Sequence, residues 1–126
     1  MNKLVERLKN RAVGYEKILS DQAFVAAVND LYIKIHSALW RGGKLLLCGN
    51  GGSAADCQHI AGEFVGRLTQ ERSAWPALTL CSDVAVMTCL GNDYTYDNIF
   101  KRQIEAYGSE KDLLLALSTS HAILVS

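Results

Sequence analysis

The stretch KLLLCGNGGSAADCQHIAGEF, residues 44–64, passes from an apolar run to a cluster of glycines and then to a mixed segment carrying a hydroxyl, a thiol, an imidazole and carboxylates. It reads as strand, tight turn and helix. Gly49, Gly51 and Gly52 let the backbone turn sharply and approach a ligand without Cβ clashes, while the helix that follows offers unpaired N–H groups and a partial positive end. Such a junction attracts a phosphate.

Working outward toward the C-terminus, the pattern predicts strand 44–48, helix 53–67, strand 77–81, helices 83–90 and 96–107, and strand 112–117. This alternation argues for a parallel α/β sheet, and the strands LLLC, ALTLC and DLLLAL are apolar on both faces, as expected with helices on both sides. The expected fold is therefore a doubly wound, flavodoxin-like sheet of order 2-1-3. Ligands of such sheets bind where the winding reverses, at the ends of the first and third strands. Those ends carry Gly49-Asn50-Gly51-Gly52-Ser53 and Ser118-Thr119-Ser120.

Toward the N-terminus, apolar residues recur at three- and four-residue steps from Leu4 to Leu19 and again from Phe24 to Leu39, predicting a helical hairpin over 1–41. Ser20 and Asp21 are helix-start residues, and Gly42-Gly43 closes the second helix. A hairpin preceding every strand is no crossover; it is expected to flank the sheet or to pack on another chain. The whole is read as one domain, 1–126, with the hairpin at 1–41, the α/β part at 44–120 and a divergent tail at 121–126.

With 126 residues, 49% of them apolar, and 13 basic against 13 acidic side chains, the chain suits one globular core and carries no field for nucleic acid or acidic lipid. Neither a secretory leader nor a run of about 18 apolar residues is present, so a cytoplasmic protein without membrane contact is expected. Cys48, Cys57, Cys81 and Cys89 form no C-x-x-C pair and read as reduced, mostly buried thiols.

Each candidate site residue also has a plainer reading. Ser53 is a helix cap or a phosphate donor, and Ser118, Thr119 and Ser120 end a strand or grip the same phosphate from the other side. A Walker loop is excluded because Ser53-Ala54 follows Gly52 where Lys is required, and a dinucleotide fingerprint lacks its acid at the proper distance. His59 and Glu63 share a helix face at i, i+4; they form a surface hydrogen bond, or bind a metal ion, or place a general base. Gly91-Asn92-Asp93-Tyr94 reads as a polar loop between helices, either a simple turn or a rim that meets sugar hydroxyls.

Taken together, Gly49 to Asp56, Gln58-His59 with Glu63, Gly91 to Tyr94 and Ser118-Thr119-Ser120 resemble the phosphoheptose isomerases, sugar-isomerase (SIS) domain proteins that convert sedoheptulose 7-phosphate to D-glycero-D-manno-heptose 7-phosphate for lipopolysaccharide and capsule precursors. The resemblance implies that Asn50, Gly51 and Gly52 contact substrate, that Ser53, Ser118, Thr119 and Ser120 hold its phosphate, and that Asn92 and Asp93 contact the sugar. It implies zinc on His59 and Glu63, Glu63 as the substrate-contacting proton-transfer residue, and a homotetramer built partly by the opening helices.

The chain departs from that family after Ser120. Where relatives continue with Gly-Asn-Ser, more sheet and a helix bearing a Gln and a His, it reads His121-Ala122-Ile123-Leu124-Val125-Ser126. The expected outcome is a sheet incomplete at its C-terminus, with two of four zinc ligands lacking a counterpart. The competing functions are a non-catalytic phosphosugar-binding or protein-interaction module and an inactive shortened isomerase.

Overall fold

The computed structural model describes residues 2–119 and the backbone of residues 123–125. Two helices open it, α1 (Lys3–Ser20) and α2 (Gln22–Trp40). Both start on side-chain caps: Asn2 Oδ1 accepts from the Leu4 amide at 3.1 Å, and Asp21 Oδ1 from the Ala23 and Phe24 amides at 2.9 and 3.2 Å. The two helices stand where the periodicity places them, yet the seam of a closed hairpin is not made, and no residue of α1 is buried. Asp21 alone joins them, whereas antiparallel helices need a loop of roughly 2–5 residues to fold back. Compactness divides the chain after Lys34, into an all-helical unit and an α/β unit beginning at Ile35.

In the α/β unit, α2 stops in a Schellman motif. Gly42 takes φ +76°, its amide bonds Leu39 O at 3.0 Å, and the Gly43 amide bonds Ala38 O at 3.0 Å. Then follow β1 (Leu45–Gly49), α3 (Gly52–Val65), β2 (Ala77–Thr79), α4 (Val84–Asp93), a 3-10 turn at Tyr96–Asn98, α5 (Ile99–Tyr107), β3 (Leu113–Leu117) and β4 (Ile123–Val125). The sheet order is β2-β1-β3-β4, with β1 parallel to both β2 and β3. This is the expected 2-1-3 winding. All five residues of central β1 are buried, and Leu45, Leu46, Leu47, Leu80, Ile99 and Cys57 form the best-shielded core.

Three local expectations are corrected. Gly91, Asn92 and Asp93 are not a loop but the last turn of α4, whose cap residue Tyr94 returns its amide to Leu90 O. The 77–81 strand is shorter, because after Thr79 the chain turns, with the Leu80 amide still bonded to Leu47 O at 2.8 Å. Gln103 on α5 secures that turn by donating to Leu80 O at 2.9 Å. The tail, read as merely divergent, contributes β4, antiparallel to β3 with Leu115 opposite Leu124. An apolar, β-branched run beside a strand edge with unpaired amides satisfies those groups by pairing.

Candidate functional site

The β1–β3 register sets Gly49 beside Leu117, so the glycine loop and the Ser118-Thr119 segment leave the sheet from adjacent strand ends. The approach is close enough to require glycine: a Cβ on Gly49 would lie 3.0 Å from Leu117 O and 2.9 Å from Ser53 Cβ. Gly51 is the N-cap of α3 at φ +56°, ψ −124°, a conformation that side chains disfavour. No side chain caps this helix, and its first turn holds no acidic residue, so its amide end is electrostatically open to an anion. Ser53 is therefore not the cap; it lies buried within the first turn. Asn50, Gly51, Gly52, Ser118 and Thr119 are exposed around it, and Ser120 lies outside the described residues, as does His121.

Two turns along α3, His59 Nε2 and Glu63 Oε1 stand 3.7 Å apart. The imidazole is mostly exposed and the carboxylate half-buried. They share one face, as the i, i+4 spacing requires, at a separation too long for a direct hydrogen bond and suited to a common ligand atom. Among the described residues no three His, Cys, Asp or Glu side chains gather closely enough to hold a metal ion. The pair by itself supplies two donors, fewer than the three or four protein ligands of a zinc site.

Glu63 is held from behind by a residue the sequence reading passed over. Arg72 donates to Glu63 O at 2.5 Å and to Phe64 O at 2.9 Å, and its guanidinium lies 4.1 Å from the Trp75 ring centre. These contacts satisfy carbonyls at the end of α3 with a cation, where the helix dipole favours one.

On the other rim, Asn92 and Asp93 are turned to their own helix. Asn92 Nδ2 donates to Asp93 Oδ1 at 3.1 Å, and Cys89 Sγ donates to Asp93 Oδ2 at 3.3 Å. The hydrogen bond and charge of Asp93 raise the Cys89 thiol above its ordinary range. The hydrogen bond that joins this rim to the glycine loop comes from Tyr96, whose hydroxyl donates to Asn50 Oδ1 at 2.6 Å. Tyr96 lies in the 3-10 turn, and no sequence motif marked it.

Beneath the loop lie three of the cysteines, all unbridged. Burial pushes Cys57 up to about 12, assisted by the neighbouring Cys81 thiol, and burial likewise raises Cys48. Cys81 donates to Gly49 O at 3.2 Å. Cys48 and Cys57 are buried packing groups and Cys81 is partly buried, as the reading of mostly buried thiols expects, while Cys89 is exposed.

Residues 6–122 match the family model described as SIS domain. The chain is 45% identical over 119 residues to a phosphoheptose isomerase of Clostridium acetobutylicum and 52% identical over 117 residues to one of a Bradyrhizobium species. These matches cover 94% and 93% of the chain but only 61% and 59% of those relatives, so the chain spans about three fifths of their length. Among solved structures, phosphoheptose isomerases of Francisella tularensis and Neisseria gonorrhoeae superpose with TM-scores of 0.81 and 0.77 at 34% and 33% identity. The chain covers 63% and 61% of those two proteins.

Proposed function

Because the chain belongs to the SIS domain family, we propose that it forms the phosphosugar-binding part of a cytoplasmic aldose–ketose isomerase, one that interconverts sedoheptulose 7-phosphate and D-glycero-D-manno-heptose 7-phosphate in heptose biosynthesis. The observation that carries this reading is the register of Gly49 with Leu117, which sets an uncapped helix N-terminus beside a hydroxyl segment. A phosphate dianion there meets main-chain amides of the glycine loop and hydroxyls of Ser53, Ser118 and Thr119 with no Lys or Arg required. Asn50 is left for the sugar, and Asn92 and Asp93 join it only on exchanging the bonds they make within α4 for sugar hydroxyls.

Glu63 stands on the helix that binds the phosphate, so a bound ketose phosphate directs its carbonyl end along α3. In this reading the carboxylate takes a proton from C1, giving an enediolate; a proton passes from O1 to O2, and the carboxylic acid returns its proton to C2, so that the carbonyl has moved from C2 to C1. Arg72, by holding the Glu63 carbonyl, keeps the end of α3 from fraying. His59 and Glu63 would hold two positions of a zinc ion, which when bound polarises the substrate carbonyl.

The test is turnover of sedoheptulose 7-phosphate in deuterated water, with deuterium incorporation read by NMR. Wild type is expected to exchange the transferred proton and Glu63→Gln to lose at least a hundredfold in rate, the usual worth of a positioned base. Undiminished turnover by Glu63→Gln would remove the carboxylate from this role. Zinc titrated into the chain by calorimetry is expected to bind weakly, since two donors fall short of a closed site; tight stoichiometric binding would contradict the two-ligand assignment.

The same two-donor count supports a second reading, a module that binds the phosphosugar without turning it over. Its signature is calorimetric binding of sedoheptulose 7-phosphate with no deuterium exchange.

A further inference from the structure

We propose that Tyr96 is a positioning residue for the ligand, acting through Asn50. The proposal rests on reading the glycine loop as the phosphosugar site. The two ends of an asparagine amide occupy nearly the same volume but have opposite hydrogen-bonding roles, one accepting and the other donating. An exposed asparagine on a glycine loop turns either end outward. The Tyr96 hydroxyl resolves this by donating to Asn50 Oδ1 at 2.6 Å. The N–H donors of the amide are thereby the end presented to an incoming oxygen.

The contact is not a by-product of burial, because Tyr96 is 61% exposed and Asn50 is also on the surface. It bridges 46 positions in the chain, from the loop after β1 to the turn after α4. Asn92 and Asp93 bond within their own helix, so this phenol is what ties the α4 rim to the glycine loop. A sugar phosphate brings several hydroxyl and carbonyl oxygens beside its phosphate. The oriented amide gives one of them a donor, while the phosphate itself is gripped by α3 and the serine hydroxyls.

Calorimetry on the full chain tests this with two probes, sedoheptulose 7-phosphate and inorganic phosphate. Tyr96→Phe, which keeps the ring and removes only the hydroxyl, is expected to weaken the sugar phosphate about fivefold, the worth of one neutral hydrogen bond, and to leave inorganic phosphate unchanged. The double variant Asn50→Ala/Tyr96→Phe is expected to bind no more weakly than Asn50→Ala, because the phenol acts only through that amide. Equal affinities for wild type and Tyr96→Phe, or losses that multiply in the double variant, would overturn the proposal. If wild type binds neither probe, the functional reading fails by itself, and the orientation is decided by the Asn50 side-chain N–H2 signals in 15N-resolved NMR. Those signals are expected to move in Tyr96→Phe; unmoved signals would end the inference.

Discussion

A single methyl group separates conformation from space at the glycine loop. Gly51 has positive φ with ψ near −124°, so Gly51→Ala is strained although nothing lies within 4 Å of where its Cβ would be. Gly52 likewise has open space around its Cβ position, but it carries no positive φ. We therefore expect Gly51→Ala to lose about 1–3 kcal/mol of stability and to weaken phosphosugar binding, the strain falling on the α3 N-cap itself. Gly52→Ala should melt like wild type, because its Cβ position is open space and its φ is not positive, and any loss it shows is expected in binding alone. Thermal melting paired with calorimetry checks both. A Gly51→Ala protein as stable as wild type would show that the loop does not need this conformation.

At the scale of elements, the far end of the sheet is tied by Asp112, which precedes β3. Its carboxylate accepts from Lys44 Nζ at 2.6 Å, from the Lys44 amide at 2.8 Å and from the Ser109 amide at 2.8 Å. Burial pushes this carboxyl upward, but the Lys44 ammonium and the surrounding donors outweigh it and hold the group below the usual aspartate range. With the folded value depressed, the stabilisation is fully present above the unfolded value of about 3.9 and is lost as pH falls through the folded one. Asp112→Ala should therefore cost about 2 kcal/mol near neutrality, the scale of hydrogen bonds to a charged group, and should make melting less sensitive to acid below about pH 4. A wild-type melting temperature that stays flat from pH 5 to pH 2 would refute the linkage. The elements themselves were legible where periodicity ran long. Leu4 to Leu19 and Phe24 to Leu39 announced helices, and three apolar runs announced β1, β2 and β3. Gly91-Asn92-Asp93 misled because turn-forming residues also serve in a last helical turn, where nearby side chains bond them, as Cys89 does Asp93. In the candidate site, the tight glycine turn into α3 and the shared face of His59 and Glu63 were legible because each is set by residues within one loop or one helical turn. Tyr96 and Arg72 could not: one reaches across 46 positions, and the other bonds main-chain carbonyls, which leave no signature in side-chain spacing.

For the whole molecule the unanswered surface is that of the opening helices. α1 buries nothing, and Leu4, Leu8 and Leu19 are 62%, 56% and 73% exposed. On α2, Phe24, Val28 and Ile33 are exposed as well. An isolated helix of this length is marginal in water, and helices in proteins draw most of their stability from burying an apolar stripe. A stripe repeated on every copy of one chain is self-complementary under a twofold axis, the commonest symmetry of soluble oligomers. The proposed occupant is thus another copy of this chain. Light scattering during size-exclusion chromatography is expected to give a mass above that of one 13.8 kDa chain. Leu8→Glu combined with Leu19→Glu should lower that mass and reduce helical circular dichroism together, because a charge on the seam opposes burial and the freed helix then frays. Loss of mass without loss of helicity would show α1 to be stable alone. A mass unchanged by both charges would place the association elsewhere, and a single-chain mass for wild type would leave the stripe without the partner assigned to it.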